Sequence, residues 1–361
     1  MIWVLAAALA AAAFWGIARF YLDGEALERY DVPVGTVVND APSPANAEVV
    51  AFLRSLVERA MATAGKDRIA LIRAELDRLG EQTDMGGIRI VPVTVGHCAA
   101  EWVLAEGSAS RGRMLYLHGG GFTAGSPRSH RRITTEPARR TGLAVLALDY
   151  RLMPEHSRRD MLEDSRNAYR WLLEHGPEGP GPAEAVFVAG DSAGGNLTLA
   201  LIAWIRDQGL RQANGAIALS PLTDATFASP SLARNVDSDP MLGPMARLIG
   251  RVPRPLMLWS TWLQNRIRPA DPQLSPLRGD LAGLPPVLIQ ASDAEILIDD
   301  ARRYVNRARE AGSPAELEIW RGMVHVWPAF GPELPETKEA FERMARFVER
   351  VLEGRARADA A

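Results

Sequence analysis

Cysteine is nearly absent from this chain of 361 residues. The single one, Cys98, excludes an intramolecular disulfide and a zinc site built on several cysteines, but it leaves the redox compartment open. Positive charge is not in excess either, since the formal net charge is −3, which argues against a nucleic-acid-binding surface. Hydrophobic residues make up 47% and charged residues 24%, which is typical of a folded protein of one large or two smaller domains.

Charged side chains are also missing from residues 1–18, and Arg19 ends this apolar run. Eighteen helical residues reach about 27 Å, slightly less than the roughly 30 Å hydrocarbon core of a bilayer. We predict that residues 1–20 form an apolar N-terminal segment that anchors the protein in a membrane through residues 1–18. A helix packed on the folded body and a cleaved signal peptide are the alternatives. Arg19 and Arg29 favour a cytoplasmic position for the rest of the chain, and a soluble cytoplasmic protein is the alternative localisation.

Short apolar and β-branched runs recur along the rest of the chain. They cover residues 88–95, 101–105, 114–117, 143–148, 185–189, 216–219, 287–290 and 317–320. Most of the later runs are continuously hydrophobic and have helical stretches between them, which is typical of strands buried on both faces of a mostly parallel sheet. The first two runs are close in sequence, and we predict that they pair antiparallel. The sequence therefore predicts an α/β protein.

Two further segments are predicted to be helical and to lie outside this alternating pattern. Apolar residues at helical spacing in residues 47–79 predict two amphipathic helices with a break near Gly65. Residues 224–268 interrupt the pattern with proline, methionine, tryptophan and arginine. We interpret this second segment as an inserted, largely helical lid.

The most specific local motif is Gly-Asp-Ser-Ala-Gly at residues 190–194, which follows the run 185–189 and precedes an apolar helical stretch. A strand, a sharp turn and a helix form the context of the nucleophile elbow G-x-S-x-G, in which the turn exposes the serine oxygen. The amide of Ala193 then lies at a helix N-terminus, where it can stabilise an oxyanion. We predict that Ser192 is a catalytic nucleophile. A glycine-rich turn whose serine only caps the helix is the alternative.

A second glycine-rich motif, His-Gly-Gly-Gly-Phe at residues 118–122, follows the run 114–117. Three glycines let the backbone approach a substrate carbonyl oxygen closely and turn successive amides inwards. Neither G-x-x-x-x-G-K-[ST] nor G-x-G-x-x-G begins here, so the motif does not indicate a phosphate-binding loop. We predict that His118 orders the loop through hydrogen bonds and does not carry a proton.

The catalytic base and its acid must lie further along the chain, because sheets of this type carry them in the order serine, acid, histidine. Of six histidines, only His325 follows Ser192. The acid should follow the apolar run at 287–290, where Asp293 and Glu295 are both candidates. Spacing alone does not separate these two residues.

With these motifs in place, the chain resembles the bacterial hormone-sensitive-lipase-like esterases of the α/β-hydrolase superfamily. The resemblance runs from about Met85 to Leu352. It rests on HGGGF, on LDYRLMPEH at 148–156, on GDSAGGN, on ADPQLSPLRGDLAGLPPVLIQ at 270–290 and on GMVHVW. It implies an α/β-hydrolase fold with a mostly parallel eight-stranded sheet flanked by helices, and a helical cap over the site.

The resemblance also assigns site residues. The family pattern D-x-L-x-D places the catalytic acid two residues before a leucine, and E-I-L-I-D, which begins at Glu295, occupies this register. The resemblance therefore favours Glu295 over Asp293. It further implies an oxyanion hole made by the backbone amides of Gly120, Gly121 and Ala193.

The function that the resemblance implies is a serine carboxylester hydrolase, acting on short- to medium-chain acyl esters through an acyl-enzyme. A lactonase, an amide or N-acetyl hydrolase with the same triad, and a catalytically silent ligand-binding relative are the alternatives. We expect a small-molecule ester as partner, no nucleic acid, no cofactor and no metal, and we leave a homodimer open. The implied domains are cap helices in residues 45–82 and a catalytic domain in residues 85–354, with residues 224–268 inserted into the cap.

The chain departs from the family pattern after LMPEH, where many relatives have a turn with proline and phenylalanine. Here residues 157–160 are Ser-Arg-Arg-Asp, and we predict that they leave the nearby surface unusually charged. Beyond the candidate acids, Asp299 and Asp300 are interpreted as solvated or capping charges.

Overall fold

The computed structural model describes residues 1–108, 112–331 and 334–359. Its strands are β1 (Thr36–Val37), β2 (Ile88–Val95), β3 (Cys98–Ala105), β4 (Gly112–Leu117), β5 (Ala144–Leu148), β6 (His175–Gly176), β7 (Gly179–Pro180), β8 (Ala185–Asp191), β9 (Gly215–Leu219), β10 (Val287–Ser292) and β11 (Ala315–Trp320). One sheet contains nine of them in the order β1-β11-β10-β9-β8-β4-β5-β3-β2, and β6 and β7 form a separate short hairpin.

All eight predicted strands are present in the large sheet, with ends that differ from the prediction by at most three residues. β2 pairs antiparallel with β3, as predicted, and β3 also pairs antiparallel with β5. The other pairs of this sheet are parallel. The ninth strand, β1, was not predicted, because two residues are too few to carry a periodic pattern.

Helices cover both faces of the sheet. They are α1 (Ile2–Ile17), α2 (Asn46–Ala62), α3 (Gly65–Glu81), α4 (Arg131–Thr141), α5 (Arg158–Glu174), α6 (Ala193–Asp207), α7 (Ser231–Arg234), α8 (Gly243–Ile249), α9 (Arg254–Asn265), α10 (Ile298–Glu310) and α11 (Pro335–Asp359). Apolar side chains of α5, α6 and α10 pack on one face of the sheet. Those of α4 and α11 pack on the other face, so the strands between them are buried on both sides.

The two helices predicted in residues 47–79 are α2 and α3. The break between them lies just before Gly65, whose φ of +54° is a left-handed conformation that glycine adopts readily. The segment 224–268 contains three short helices, α7, α8 and α9, joined by turns. It lies between β9 and β10 in the chain, where the two strands are direct neighbours in the sheet.

The apolar N-terminal segment is helical. α1 continues as a turn of π-helix, Ala18–Leu22, and the side chains of residues 1–13 are exposed. Ala18 and Leu22 are buried in a small cluster with Leu258 of α9. In the described part of the chain, residues 2–22 form the one helix that is long and apolar enough to cross a membrane, a property that signal sequences and buried core helices share.

Candidate active site

Ser192 lies on the turn between β8 and α6. Its φ of +50° and ψ of −114° are rare for a residue with a side chain, and its amide donates a hydrogen bond of 2.8 Å to the carbonyl oxygen of Leu219. Two residues further on, a Cβ atom on Gly194 would lie 1.9 Å from the carbonyl oxygen of Leu117 in β4. The glycine is therefore required, because the turn packs directly on the backbone of the neighbouring strand.

We expect Gly194→Ala to lower the free energy of unfolding by about 3 kcal/mol, or to prevent folding, because the backbone at Leu117 cannot move aside without distorting β4. Thermal unfolding followed by circular dichroism measures this effect. Gly354→Ala in α11 is the matched control, since no atom lies within 4 Å of the added Cβ, and its unfolding temperature should be equal or slightly higher. Equal unfolding temperatures for the two variants would contradict this reading of the turn.

His325 lies on the loop after β11 and faces the serine. Its Nε2 is 2.9 Å from the Oγ of Ser192, which is hydrogen-bonding distance. The amide of Val326 donates a hydrogen bond of 3.2 Å to the hydroxyl of Ser220, which follows β9. This contact fixes the loop against the carboxyl end of the sheet, with the imidazole buried beside Ser192.

Glu295, and not Asp293, contacts the imidazole. The Oε2 of Glu295 is 2.5 Å from the Nδ1 of His325, and its Oε1 accepts a hydrogen bond of 2.8 Å from the amide of Ser292. The carboxylate of Asp293 instead accepts a hydrogen bond of 2.8 Å from the amide of Gly322, ahead of the histidine loop. The two acids that spacing did not separate therefore have different partners. Only Glu295 contacts the imidazole of His325, which in turn contacts Ser192.

The charge on Glu295 governs the protonation of the histidine. Burial opposes the cationic ring, but the hydrogen bond to Glu295 and its negative charge, with smaller contributions from Asp239 and Asp191, raise the pKa of His325 above its usual value. A neutral ring that donates Nδ1–H to Glu295 presents the lone pair of Nε2 to the hydroxyl of Ser192.

The triple-glycine loop lies beside this serine. Gly120 has a φ of +113°, and a Cβ atom there would lie 2.2 Å from the carbonyl oxygen of Ala124, so the loop requires glycine at this position. Gly121 and Ala193 line the same cavity as Ser192. Within residues 112–331, the amides of Gly120, Gly121 and Ala193 donate no hydrogen bond to the protein.

A cavity of about 830 Å³ extends from the serine. Most of its wall comes from the segment 224–268 and is apolar. The lining side chains include Phe227, Leu232, Val236, Leu242, Ile249 and Met257. The site therefore combines a hydrogen-bonded run of a half-buried serine, a buried histidine and a buried glutamate with a large apolar binding space.

Known proteins are similar to this chain in sequence and architecture. A family model described as alpha/beta hydrolase fold matches residues 114–329. The chain belongs to this family. An acetyl-hydrolase of Streptomyces hygroscopicus is 39% identical to this hydrolase over 277 residues, which cover 74% of the chain and 86% of that protein. An esterase of Acinetobacter venetianus is 32% identical over 299 residues, which cover 82% of the chain and 94% of that protein.

The solved structures that resemble this hydrolase are also esterases. An esterase of the bacterial hormone-sensitive lipase family has a TM-score of 0.73 and 36% identity, and the match covers 86% of the hydrolase and 99% of that chain. The structure of the esterase EstE5, soaked with p-nitrophenyl butyrate, also has a TM-score of 0.73 and 36% identity. This match covers 86% of the hydrolase and 99% of the EstE5 chain. The predicted fold and the predicted resemblance to bacterial hormone-sensitive-lipase-like esterases are thus confirmed, and the protein is a carboxylesterase-like hydrolase.

A network that sequence reasoning missed holds the glycine loop of the hydrolase. The carboxylate of Asp191, next to the serine, accepts hydrogen bonds from the Tyr116 hydroxyl at 2.6 Å and from the Gly119 amide at 3.0 Å. His130 lies 3.4 Å from the same carboxylate. Although burial opposes the charged form, His130 and the Tyr116 hydroxyl keep the pKa of Asp191 below its usual range. Asp191 therefore joins the elbow to the glycine loop.

His118 has the ordering position that was predicted. Its Nδ1 donates to the carbonyl oxygen of Gly119 at 2.8 Å, and its ring stacks on Tyr150 with centroids 4.2 Å apart. The Tyr150 hydroxyl donates in turn to the His118 carbonyl oxygen at 2.6 Å. Burial, with His130 nearby, lowers the pKa of His118 to about 3, so the ring stays neutral.

The prediction of a charged surface after LMPEH is wrong for Arg158. Its guanidinium is buried, donates a hydrogen bond of 2.7 Å to the Oδ1 of Asn196 and lies 3.4 Å from the centroid of the Phe122 ring. Burial lowers the pKa of Arg158 to about 9. Ser157 and Asp160 form a capping box at the start of α5. The side chain of Arg158 therefore packs against Phe122 of the glycine loop, while Ser157 and Arg159 are exposed.

Of the two interpretations of Asp299 and Asp300, solvated charges are wrong, because both side chains are buried. Both residues lie in the first turn of α10, where a negative charge suits the N-terminus of a helix. The carboxylate of Asp300 accepts hydrogen bonds from the amides of Thr223 at 2.7 Å and of Asp224 at 3.0 Å. Burial and the charge of Asp224 raise the pKa of Asp300 to about 7. Asp299 forms an ion pair with Arg234 at 3.0 Å. The contacts of these two acids therefore connect α10 to the start of the segment 224–268.

One group of side chains with metal-binding atoms lies away from this site. Within the described residues, His97, Cys98 and Asp164 bring such atoms within 4.8 Å of one another. The carboxylate of Asp164 already forms an ion pair with Arg151 at 2.7 Å. Burial, with Asp164 nearby, raises the pKa of the Cys98 thiol to about 12, so the sulfur keeps its proton and is a poor ligand.

Proposed function

We propose that the protein is a serine carboxylester hydrolase in which Ser192 is the nucleophile, His325 is the general base and Glu295 orients the imidazole. The observation that supports this most strongly is the continuous run of contacts from Glu295 through both ring nitrogens of His325 to the Ser192 hydroxyl. In such an arrangement the carboxylate keeps Nδ1 protonated, which leaves Nε2 to take the serine proton.

In the proposed mechanism, the Oγ of Ser192 attacks the ester carbonyl carbon while its proton passes to the Nε2 of His325. The amides of Gly120, Gly121 and Ala193 hold the oxyanion of the tetrahedral intermediate. The imidazolium then gives its proton to the alcohol oxygen as the ester C–O bond breaks, which leaves an acyl-enzyme. A water molecule that loses a proton to the Nε2 of the same imidazole attacks the acyl carbon. As the bond between this carbon and the Oγ of Ser192 breaks, the imidazolium returns the proton to Oγ and the carboxylic acid leaves.

Short- to medium-chain acyl esters are the proposed substrates. The apolar wall of the cavity suits an aliphatic acyl chain, and the relative EstE5 was crystallised and soaked with p-nitrophenyl butyrate. A panel of p-nitrophenyl esters of increasing acyl length tests this proposal through kcat/KM. We expect the highest value within the short to medium lengths, and a steady rise toward the longest chains would contradict it.

An acetyl-hydrolase activity is the second candidate, because the Streptomyces hygroscopicus relative carries that name. The same serine, histidine and carboxylate can cleave an ester, a lactone or an amide, since each reaction passes through a tetrahedral oxyanion. Values of kcat/KM on an ester, a lactone and an amide with the same acyl group distinguish the three. A higher value for the amide or the lactone would replace the carboxylesterase proposal.

The pH dependence of the reaction should follow His325. Because Glu295 raises the pKa of this histidine above 6.5, we expect kcat/KM to fall with decreasing pH through a pKa above that value, as the proton occupies Nε2. Glu295→Gln removes the negative charge, so the acid limb of the residual activity should move to lower pH. Profiles of kcat/KM against pH for both proteins measure the shift. A limb that stays in place, or moves to higher pH, would contradict the role of Glu295.

We further propose that residues 45–82 and 224–268 form a cap over the site, with the catalytic domain in residues 85–354. Support comes from two sets of contacts. Segment 224–268 supplies most of the cavity wall. In α3, Arg73 donates a hydrogen bond of 2.7 Å to the carbonyl oxygen of Thr123, directly after the glycine loop.

Residues 1–18 are the proposed membrane anchor, with the rest of the chain in the cytoplasm. The support is the apolar, exposed surface of α1. We expect the full chain in the membrane fraction of expressing cells with residues 1–18 present by intact mass, and Leu5→Arg/Leu9→Arg in the soluble fraction, because charges inside a bilayer are costly. A shortened mature chain would favour a cleaved signal peptide, and a soluble wild-type protein would favour a packed helix.

A further inference from the structure

Exposed apolar side chains are concentrated in two parts of the hydrolase. In the described part of the chain, every exposed large apolar residue except Val32, Val37 and Met61 lies in residues 1–21 or 245–263. The second group consists of Met245, Leu248, Val252, Leu256 and Leu263, which are between 41% and 52% exposed. A soluble monomer rarely exposes so many apolar side chains in one short segment, and such patches mark interaction surfaces.

Direct contacts join the two groups. The ring of Phe14 stacks on Trp259 with centroids 5.3 Å apart, and the Nε1 of Trp259 donates to the Phe14 carbonyl oxygen at 3.2 Å. Leu256 and Leu263 lie three residues before and four residues after Trp259, so they share its side of α9. Residues 2–21 and 245–263 therefore form one continuous surface, which we call the α1–α9 face.

Basic side chains outnumber acidic ones around this face, although Arg254 pairs with Asp23 and Arg247 pairs with Asp237. Residues 241–270 contain five arginines and no aspartate or glutamate, and Arg19 is the only charged residue among residues 1–22, although the whole chain has a net charge of −3. The guanidinium of Arg268 lies 5.4 Å from the Tyr21 ring, and that of Arg266 lies 5.5 Å from the Trp262 ring. Arginine and aromatic side chains next to an apolar surface suit the interface of an anionic lipid bilayer.

The cavity that begins at the serine reaches the same face. Met245 and Val252 line the cavity and are also 43% and 44% exposed, so they lie at its opening. Met257 lines the cavity and packs against the cluster that holds α1. An acyl chain that leaves a bilayer beside α1 would therefore pass Met245 and Val252 on its way to Ser192.

We propose that the α1–α9 face docks on an anionic lipid bilayer and that the cavity takes its substrate directly from the lipid. The substrate class is an amphiphilic ester whose acyl chain partitions into the bilayer and whose carbonyl reaches Ser192. This inference rests on the proposed esterase function and goes beyond the anchor, because it gives α8 and α9 a membrane contact of their own.

The test compares one soluble and one membrane-embedded ester. The full chain is assayed with p-nitrophenyl butyrate in solution, and with p-nitrophenyl palmitate in vesicles of phosphatidylcholine with or without phosphatidylglycerol. Leu256→Gln/Leu263→Gln removes two exposed apolar contacts from the face and leaves α1 and the cavity lining intact. Val32→Gln/Met61→Gln is the matched control, since it removes two exposed apolar side chains outside the face.

We expect the face variant to hydrolyse the embedded ester about tenfold more slowly than wild type, and the control variant to match wild type, while both keep the wild-type rate on the soluble ester. The wild-type rate on the embedded ester should be higher in vesicles that contain phosphatidylglycerol. Equal rates of the two variants on the embedded ester would overturn the docking proposal alone. A wild-type protein that does not hydrolyse the soluble ester would overturn the esterase function, and the substrate route with it.

Discussion

Ser192→Ala is expected to lower kcat for p-nitrophenyl butyrate by at least about 10⁴-fold, because a nucleophile, its base and the orienting acid act as one unit. The structure predicts little change in stability, since Ser192 is half-buried and, among residues 112–331, its hydroxyl forms a hydrogen bond only with the Nε2 of His325. The measurement is kcat from initial rates, with thermal unfolding as a check on folding.

Ser260→Ala is the matched control for this variant, because Ser260 is an exposed serine on α9. Its rate should equal that of wild type. If Ser192→Ala kept a rate within about tenfold of wild type while remaining folded, another residue would have to be the nucleophile, and the assignment of the serine would be wrong.

The second large expected effect distinguishes Glu295 from Asp293 as the acid that acts on His325. Glu295→Gln should lower kcat by about 10³- to 10⁴-fold, because an amide at this position no longer fixes the imidazole tautomer or stabilises its cation. Asp293→Asn should lower it by less than about tenfold, since the carboxylate of Asp293 accepts the Gly322 amide and does not contact His325. Initial rates at a fixed pH measure both effects. A larger loss for Asp293→Asn than for Glu295→Gln would reverse the assignment.

Much of the fold was predictable because its strands are buried on both faces. Continuous apolar runs mark such strands in the sequence, and parallel strands place their carboxyl ends on one edge of the sheet. The turn with Ser192 follows β8 and the loop with His325 follows β11, so both reach this edge. The identity of the acid that contacts His325 was harder to predict. Its candidates are two residues apart, and only the backbone path after β10 decides which one contacts the imidazole.

The supporting contacts were not predictable from local patterns. Asp191 contacts Tyr116 because β4 and β8 are neighbours in register, and periodicity does not specify which strands are neighbours. Arg158 was expected to add to a charged surface, because residues 157–160 replace a turn with proline and phenylalanine. Its guanidinium is buried instead, and its partners, Phe122 and Asn196, lie on distant segments. Both cases depend on tertiary contacts between residues far apart in the chain.

Covalent labelling by a fluorophosphonate tests the central claim most directly, since the reagent reacts with a serine that a neighbouring base activates. Peptide mass spectrometry of the labelled full chain should place one adduct on Ser192, formed in parallel with the loss of esterase activity. Ser192→Ala should take up no label, and Glu295→Gln should react much more slowly than wild type. Complete loss of activity with the adduct on another residue, or full activity with Ser192 labelled, would contradict the account.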